Sequence, residues 1–169
     1  MLAYVFVLLA IVMRFASVPL SFAPVGPALL FFGARGSRKQ AWIPVLLLAL
    51  TDFALTRFVY HYPYRADQAI TIVWYAVALL MGTLLRDNAR PLRIGAVALA
   101  ASLGFFLVSN FATWAVWTMY PHSPSGLIAC YVAALPFFRN QLISDMVFTA
   151  AMFSVPALVN LVRPQEQKA

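Results

Sequence analysis

Residues 114–147 read WAVWTMYPHSPSGLIACYVAALPFFRNQLISDMV, and how this stretch divides decides the fold. It leaves one apolar segment and crosses a Tyr-Pro-His-Ser-Pro-Ser-Gly turn of strong turn-forming composition. The apolar run Gly126–Phe138 follows, 13 residues long. As a helix it covers only ~20 Å, too short to cross a hydrocarbon core of ~30 Å. Ser123 or Ser125 can cap its start and Pro136 weakens its end. The expectation is a short interfacial or re-entrant helix, with a separate last span from about Asn140 to Leu161. The only cysteine, one of the two histidines and an embedded acid, Asp145, lie in this stretch.

Working outward, the rest of the chain is mostly bland apolar sequence. Of 169 residues, 63% are hydrophobic and 10% charged, far below the ~25% charge of a soluble domain. This composition belongs to the membrane class and leaves room for about six spans. The fold class expected is an all-α polytopic membrane protein of six transmembrane helices, one domain over 1–162 with a short cytoplasmic tail at 163–169. Span one is Met1 to about Ala16, read as a retained helix because nothing basic precedes it and no small-x-small cleavage site follows. Span two is Pro19–Ala34, interrupted by Pro19, Pro24 and Pro27. Proline-broken spans need neighbours to satisfy their freed carbonyls, and in transporters they line cavities. Span three is Ala41 to about Phe58, span four Ala69–Leu85 and span five Ile94–Trp117. VYHYPYRADQ reads as a Tyr-rich interfacial loop.

The net charge of +7 does not point to nucleic acid, because the basic residues sit in short loops between apolar runs. Arg35, Arg38, Lys39, Arg86, Arg90, Arg93 and two tail residues lie on one side. Arg14, Arg57, Arg65 and Arg139 lie on the other. The positive-inside rule puts both termini in the cytoplasm. The loop GARGSRKQ lacks P-loop spacing, so ATP hydrolysis, if used, comes from another chain.

Charges inside spans are costly and mark candidate sites. Asp52 and Asp145 fall about 8–9 Å inside the outer boundary, and Asn110 at about 10 Å. These three can form one polar layer, the floor of an outward-facing pocket, with Arg14, Arg57 or Arg139 as counter-charge. Asn140 adjoins it. Trp114 and Trp117 share a helical face with Asn110 and, with Tyr120, can stack a flat heterocycle; the competing reading is an aromatic belt. His122 joins this outer group. His61, His122 and Cys130 together have the chemistry for a soft metal or a corrin cobalt, but their spacing matches no metal motif. No cofactor and no catalytic signature is expected.

FAPVGPALLFFGA (22–34), ALTDFAL (49–55) and YPHSPSGLIACYVAALPFFRNQLISDMVFTAAMF (120–153) resemble an uncharacterised bacterial family of transport-type membrane proteins. That family is related to the S components of energy-coupling-factor vitamin transporters. The resemblance covers most of the chain. It implies six helices and an outward cavity roofed by loops. It also implies a small vitamin-like molecule as ligand, handed to a transmembrane coupling subunit driven by two ATPases, although some members work alone. Members show Asn-Phe-Thr-Pro where Ser21-Phe22-Ala23-Pro24 stands here, and Ala3, Ala10 and Ala16 do not space as Ala-x-x-x-Ala.

The function expected is therefore capture and uptake of a small molecule at the bacterial cytoplasmic membrane, without enzymatic activity. A structural membrane scaffold of similar fold is the alternative, and an intramembrane enzyme using Cys130 and a histidine the third reading.

Overall fold

The computed structural model describes residues 1–15, 23–63 and 65–162. Ala16, Pro19, Ser21 and Phe22 of the expected first two spans, Tyr64 of the Tyr-rich loop and the tail 163–169 lie outside the described residues. Among the described residues the chain is all helix: α1 (Leu2–Phe15), α2 (Val25–Arg35), α3 (Trp42–Ala54), α4 (Ala66–Thr83), α5 (Pro91–Val116) and α6 (Pro124–Val162). A short 3-10 turn (Arg38–Gln40) leads into α3, and a π-helical turn (Leu55–Val59) ends it.

Four of these stretches are long and apolar enough to cross a membrane: Arg38–Val59, Ala66–Thr83, Pro91–Val116 and Pro124–Pro156. Their outward faces carry Leu50, Val73, Leu80, Leu103 and Val147, all exposed. Such a continuous apolar surface suits hydrocarbon rather than water.

α1 and α2 are shorter than the spans expected of them, 14 and 11 residues. As helices these reach only about 21 and 17 Å. Both run between one end of the long helices and their middle. At the start of α1 the Tyr4 hydroxyl donates to Gln40 Oε1 at 2.7 Å; near its end Arg14 meets Asp52 in the last turn of α3 and Tyr75 halfway along α4. α2 starts beside Asp145 and ends where Arg86 Nη2 donates to the Gly36 carbonyl at 3.1 Å.

α2 is the centre of the fold. Every residue from Pro27 to Ala34 is buried. Phe31 packs edge-on against Phe6 of α1 and Phe153 of α6, with ring centroids 4.8 and 5.1 Å apart. The prolines expected to break a span instead open this helix. Pro24 precedes its first residue and Pro27 lies in its first turn, where the missing N–H has no intrahelical acceptor to lose. The buried face of α1 is Ala3, Phe6, Val7 and Ala10, so Ala3 and Ala10 pack inside this chain.

The short separate helix expected at 126–138 does not exist as an element. It is the first part of α6, which runs for 39 residues through Pro136, Arg139 and Asn140. Packing along α5 outweighs the hydrogen bond that Pro136 removes. The Tyr131 hydroxyl donates to the Leu107 carbonyl at 2.8 Å and Cys130 Sγ to that of Asn110 at 3.5 Å. The Phe106 ring lies 5.6 Å from Tyr131 and 4.5 Å from Phe138.

Candidate functional site

Where α2 begins, the bundle leaves a cavity of about 380 Å³ between α1, α2, α4, α5 and α6, within the range of small-molecule sites. Apolar walls come from Leu29, Leu30, Trp74, Ala101 and Phe105. Polar groups enter at Arg14, Tyr75, Ser102, Gln141, Asp145 and Thr149. Tyr60, just past the π-helical turn, lies at the rim and is 55% exposed. That turn is tied to α4 by Gln68 Nε2, which donates to Thr56 Oγ1 at 3.2 Å.

Two polar groupings face the cavity. In the first, Arg14 Nη2 pairs with Asp52 Oδ1 and Nη1 donates to the Tyr75 hydroxyl at 3.1 Å. That hydroxyl donates to Asp52 Oδ2 at 2.6 Å, closing a triangle among α1, α3 and α4. In the second, Ser102 Oγ lies 2.6 Å from Asp145 Oδ2 and 3.0 Å from the Ala98 carbonyl. Asp145 is 7% exposed and abuts the first turn of α2, where a Cβ on Gly26 would sit 3.4 Å from Oδ1. The positive end of the α2 dipole therefore meets this carboxylate. Thr149, buried and lining the cavity, has a hydroxyl without a hydrogen-bond partner. Gln141, Asp145 and Thr149 recur every four residues, so one face of α6 presents all three.

Of the residues singled out from sequence, Arg14 and Asp145 line the cavity, and Asp52 holds Arg14 in place. The single polar layer does not form. Asn110 lies eight residues from Ser102 on α5, about 12 Å along the helix, and its amide donates to the Phe106 carbonyl of its own helix at 2.8 Å. Arg57 and Arg139 are exposed, so neither is the counter-charge. Asn140 is half-buried and outside the cavity lining, as is Tyr120.

The tryptophans serve the end of the bundle rather than the cavity. Trp114 Nε1 donates to the Pro121 carbonyl at 2.9 Å, and its ring meets His122 edge-on at 5.6 Å. Trp117 Nε1 donates to Asp67 Oδ2 at 3.0 Å, and the Arg65 guanidinium sits 4.2 Å over the Trp117 ring. This latch joins the start of α4 to the end of α5. Asp67 Oδ1 is buried without a partner, so Trp117→Phe leaves the carboxylate poorly satisfied and should cost about 1–3 kcal/mol. Thermal unfolding of the variant in detergent measures it.

His61, His122 and Cys130 do not assemble a metal site: among the described residues no three His, Cys, Asp or Glu side chains converge. Cys130 is buried against α5, and His61 adopts a left-handed backbone with φ of 56° in the loop after α3.

Sequence reasoning missed Tyr75, Ser102, Thr149 and the aromatic wall of Trp74 and Phe105. The four-residue spacing of Gln141, Asp145 and Thr149 was the available signal. A family model described as a family of unknown function, DUF6580, matches residues 1–167. No curated protein and no solved structure matches the chain.

Proposed function

The chain belongs to the DUF6580 family of unknown function, and we propose that it captures a small, vitamin-like molecule in this cavity for uptake across the bacterial cytoplasmic membrane. The observation that carries the reading is a cavity at mid-height of long apolar helices, lined by Arg14, Ser102, Asp145 and an unpartnered Thr149 hydroxyl. Ionisable groups at such depth are costly and are retained where they bind or move something. A buried helix start facing a cavity, as in α2, is also how broken helices serve substrate sites in transporters.

In the same reading the six helices form one membrane domain with both termini cytoplasmic. The loops at Arg35–Lys39 and Arg86–Arg93 hold six basic residues on one side. Tyr60 and the cavity rim lie toward the other end, which would open outward. The resemblance to S components supports capture by a dedicated binding protein. A coupling subunit would have to dock elsewhere than on Ala3 and Ala10, which are buried within the chain.

Native mass spectrometry of the purified protein tests capture. The expected result is a co-purifying small molecule, retained by the wild type and lost from Asp145→Asn. Repeated purification with no bound molecule, together with no uptake phenotype on deletion, would favour the scaffold reading instead.

A further inference from the structure

The charge balance around the cavity says what kind of molecule fits, given that the cavity is a capture site. Arg14 is neutralised by Asp52. Asp145 has no cationic partner among the described residues: the one ion pair there is Arg14–Asp52. Residues 16–22, Ala-Ser-Val-Pro-Leu-Ser-Phe, contain no basic residue. With Arg14, Asp52 and Asp145 ionised, the three groups sum to a single negative charge, and it resides at Asp145.

Hydrogen bonding supplies no positive charge: the Ser102 hydroxyl and the Gln141 amide both bond to Asp145, and both are neutral. Ser102 has one hydroxyl proton and two acceptors in reach, the Ala98 carbonyl at 3.0 Å and Asp145 Oδ2 at 2.6 Å. One turn further along α6 the Thr149 hydroxyl, only 3% exposed, has no partner and borders the same cavity. A carboxylate without a cation and a hydroxyl without any partner together suit a group that is positive and hydrogen-bonding. The remaining wall is aromatic: Trp74 and Phe105 both line the cavity, with ring centroids 6.4 Å apart. Aromatic faces attract cations and accept flat rings. A bare metal ion would leave most of 380 Å³ empty.

We infer that the cavity selects a small organic cation, an amine or quaternised nitrogen attached to a flat ring. Its positive group lies at Asp145 and Thr149, and its ring against Trp74 and Phe105.

The test varies charge at constant shape. The full chain in detergent is titrated with benzylammonium, benzyl alcohol and benzoate at fixed ionic strength, by calorimetry and by thermal unfolding. Benzylammonium should bind saturably and at least tenfold more tightly than benzyl alcohol, with benzoate weakest. Asp145→Asn should erase that preference while leaving the weak binding of benzyl alcohol, and Asp145→Glu should keep it. If Asp145→Asn fails to fold, the wild-type charge series and Thr149→Val, expected to weaken benzylammonium severalfold, decide the matter. Binding of benzyl alcohol or benzoate as tight as that of benzylammonium overturns the inference and leaves capture intact. Binding of none of the three also overturns it, and capture then stands or falls on the mass spectrometry.

Discussion

Replacing Gly82 with alanine is expected to destabilise the protein by about 3 kcal/mol, the upper part of the range for overpacking a core. The cause is a backbone contact. A Cβ on Gly82 would overlap the Leu30 carbonyl oxygen of α2, and a Cβ on Gly33 would overlap the Leu79 carbonyl oxygen of α4. Neither neighbour is a flexible side chain that can swing aside. The two helices meet through paired glycines, the small-residue packing that lets backbones approach closely in membranes. Gly33→Ala should cost a similar amount. Because both substitutions force the same two helices apart, the double variant should cost clearly less than the sum of the singles. Gly95→Ala is the control. It lies near the start of α5, nothing lies within 4 Å of its Cβ, and it should be neutral or stabilise by up to about 1 kcal/mol through helix propensity. Denaturant or thermal unfolding of the four variants in one detergent measures the set. An additive double variant, or a Gly82→Ala protein as stable as wild type, would show that α2 and α4 are not locked here.

That glycine pair was not legible in the sequence, and neither was the central place of α2, for one reason. Hydropathy reports how long a helix is, not which helix it touches. The three spans read from 41 to 117 emerge as α3, α4 and α5 with ends shifted by one to four residues, because each is a long, mostly apolar run between polar loops. In 114–147 the same reasoning split one helix into two. Arg139 and Asn140 looked like an interface, but they lie partway along one continuous helix that packs against α5. That error displaced the expected depth of the acid. Asp145 lies 21 residues, about 32 Å, beyond Pro124 rather than a turn or so from an outer boundary. It therefore meets Ser102 near the middle of α5 and not Asn110. Embedded charges stood out because they are rare in apolar helices, so Arg14, Asp52 and Asp145 were found. Tyr75, Ser102 and Thr149 were not, because serine, threonine and tyrosine are unremarkable in membrane helices until a structure shows which of them share a cavity.

The triangle of Arg14, Asp52 and Tyr75 separates binding from packing, and a double-mutant cycle reads the difference. Asp52→Leu alone leaves the Arg14 guanidinium, with its side chain 20% exposed, facing only the Tyr75 hydroxyl. Removing one member of a buried pair costs about 3–5 kcal/mol, because the partner's charge stays behind uncompensated. Arg14→Met alone strands Asp52 in the same way, against Tyr75. Removing both charges together takes away the desolvation cost as well as the attraction, so Arg14→Met/Asp52→Leu should regain most of the wild-type stability. If the pair were only glue, the double variant would also keep full ligand affinity. Arg14 lines the cavity whereas Asp52 stands behind it, so a pair retained for recognition predicts otherwise. Stability should return while affinity for the co-purifying molecule falls about tenfold, the equivalent of about 1.4 kcal/mol and one hydrogen bond to a charged group. The net charge near Asp145 is unchanged by the double substitution, so the preference for benzylammonium over benzyl alcohol should survive it. A stable double variant with undiminished affinity would assign the triangle to packing alone and leave Asp145, Ser102 and Thr149 to hold the ligand.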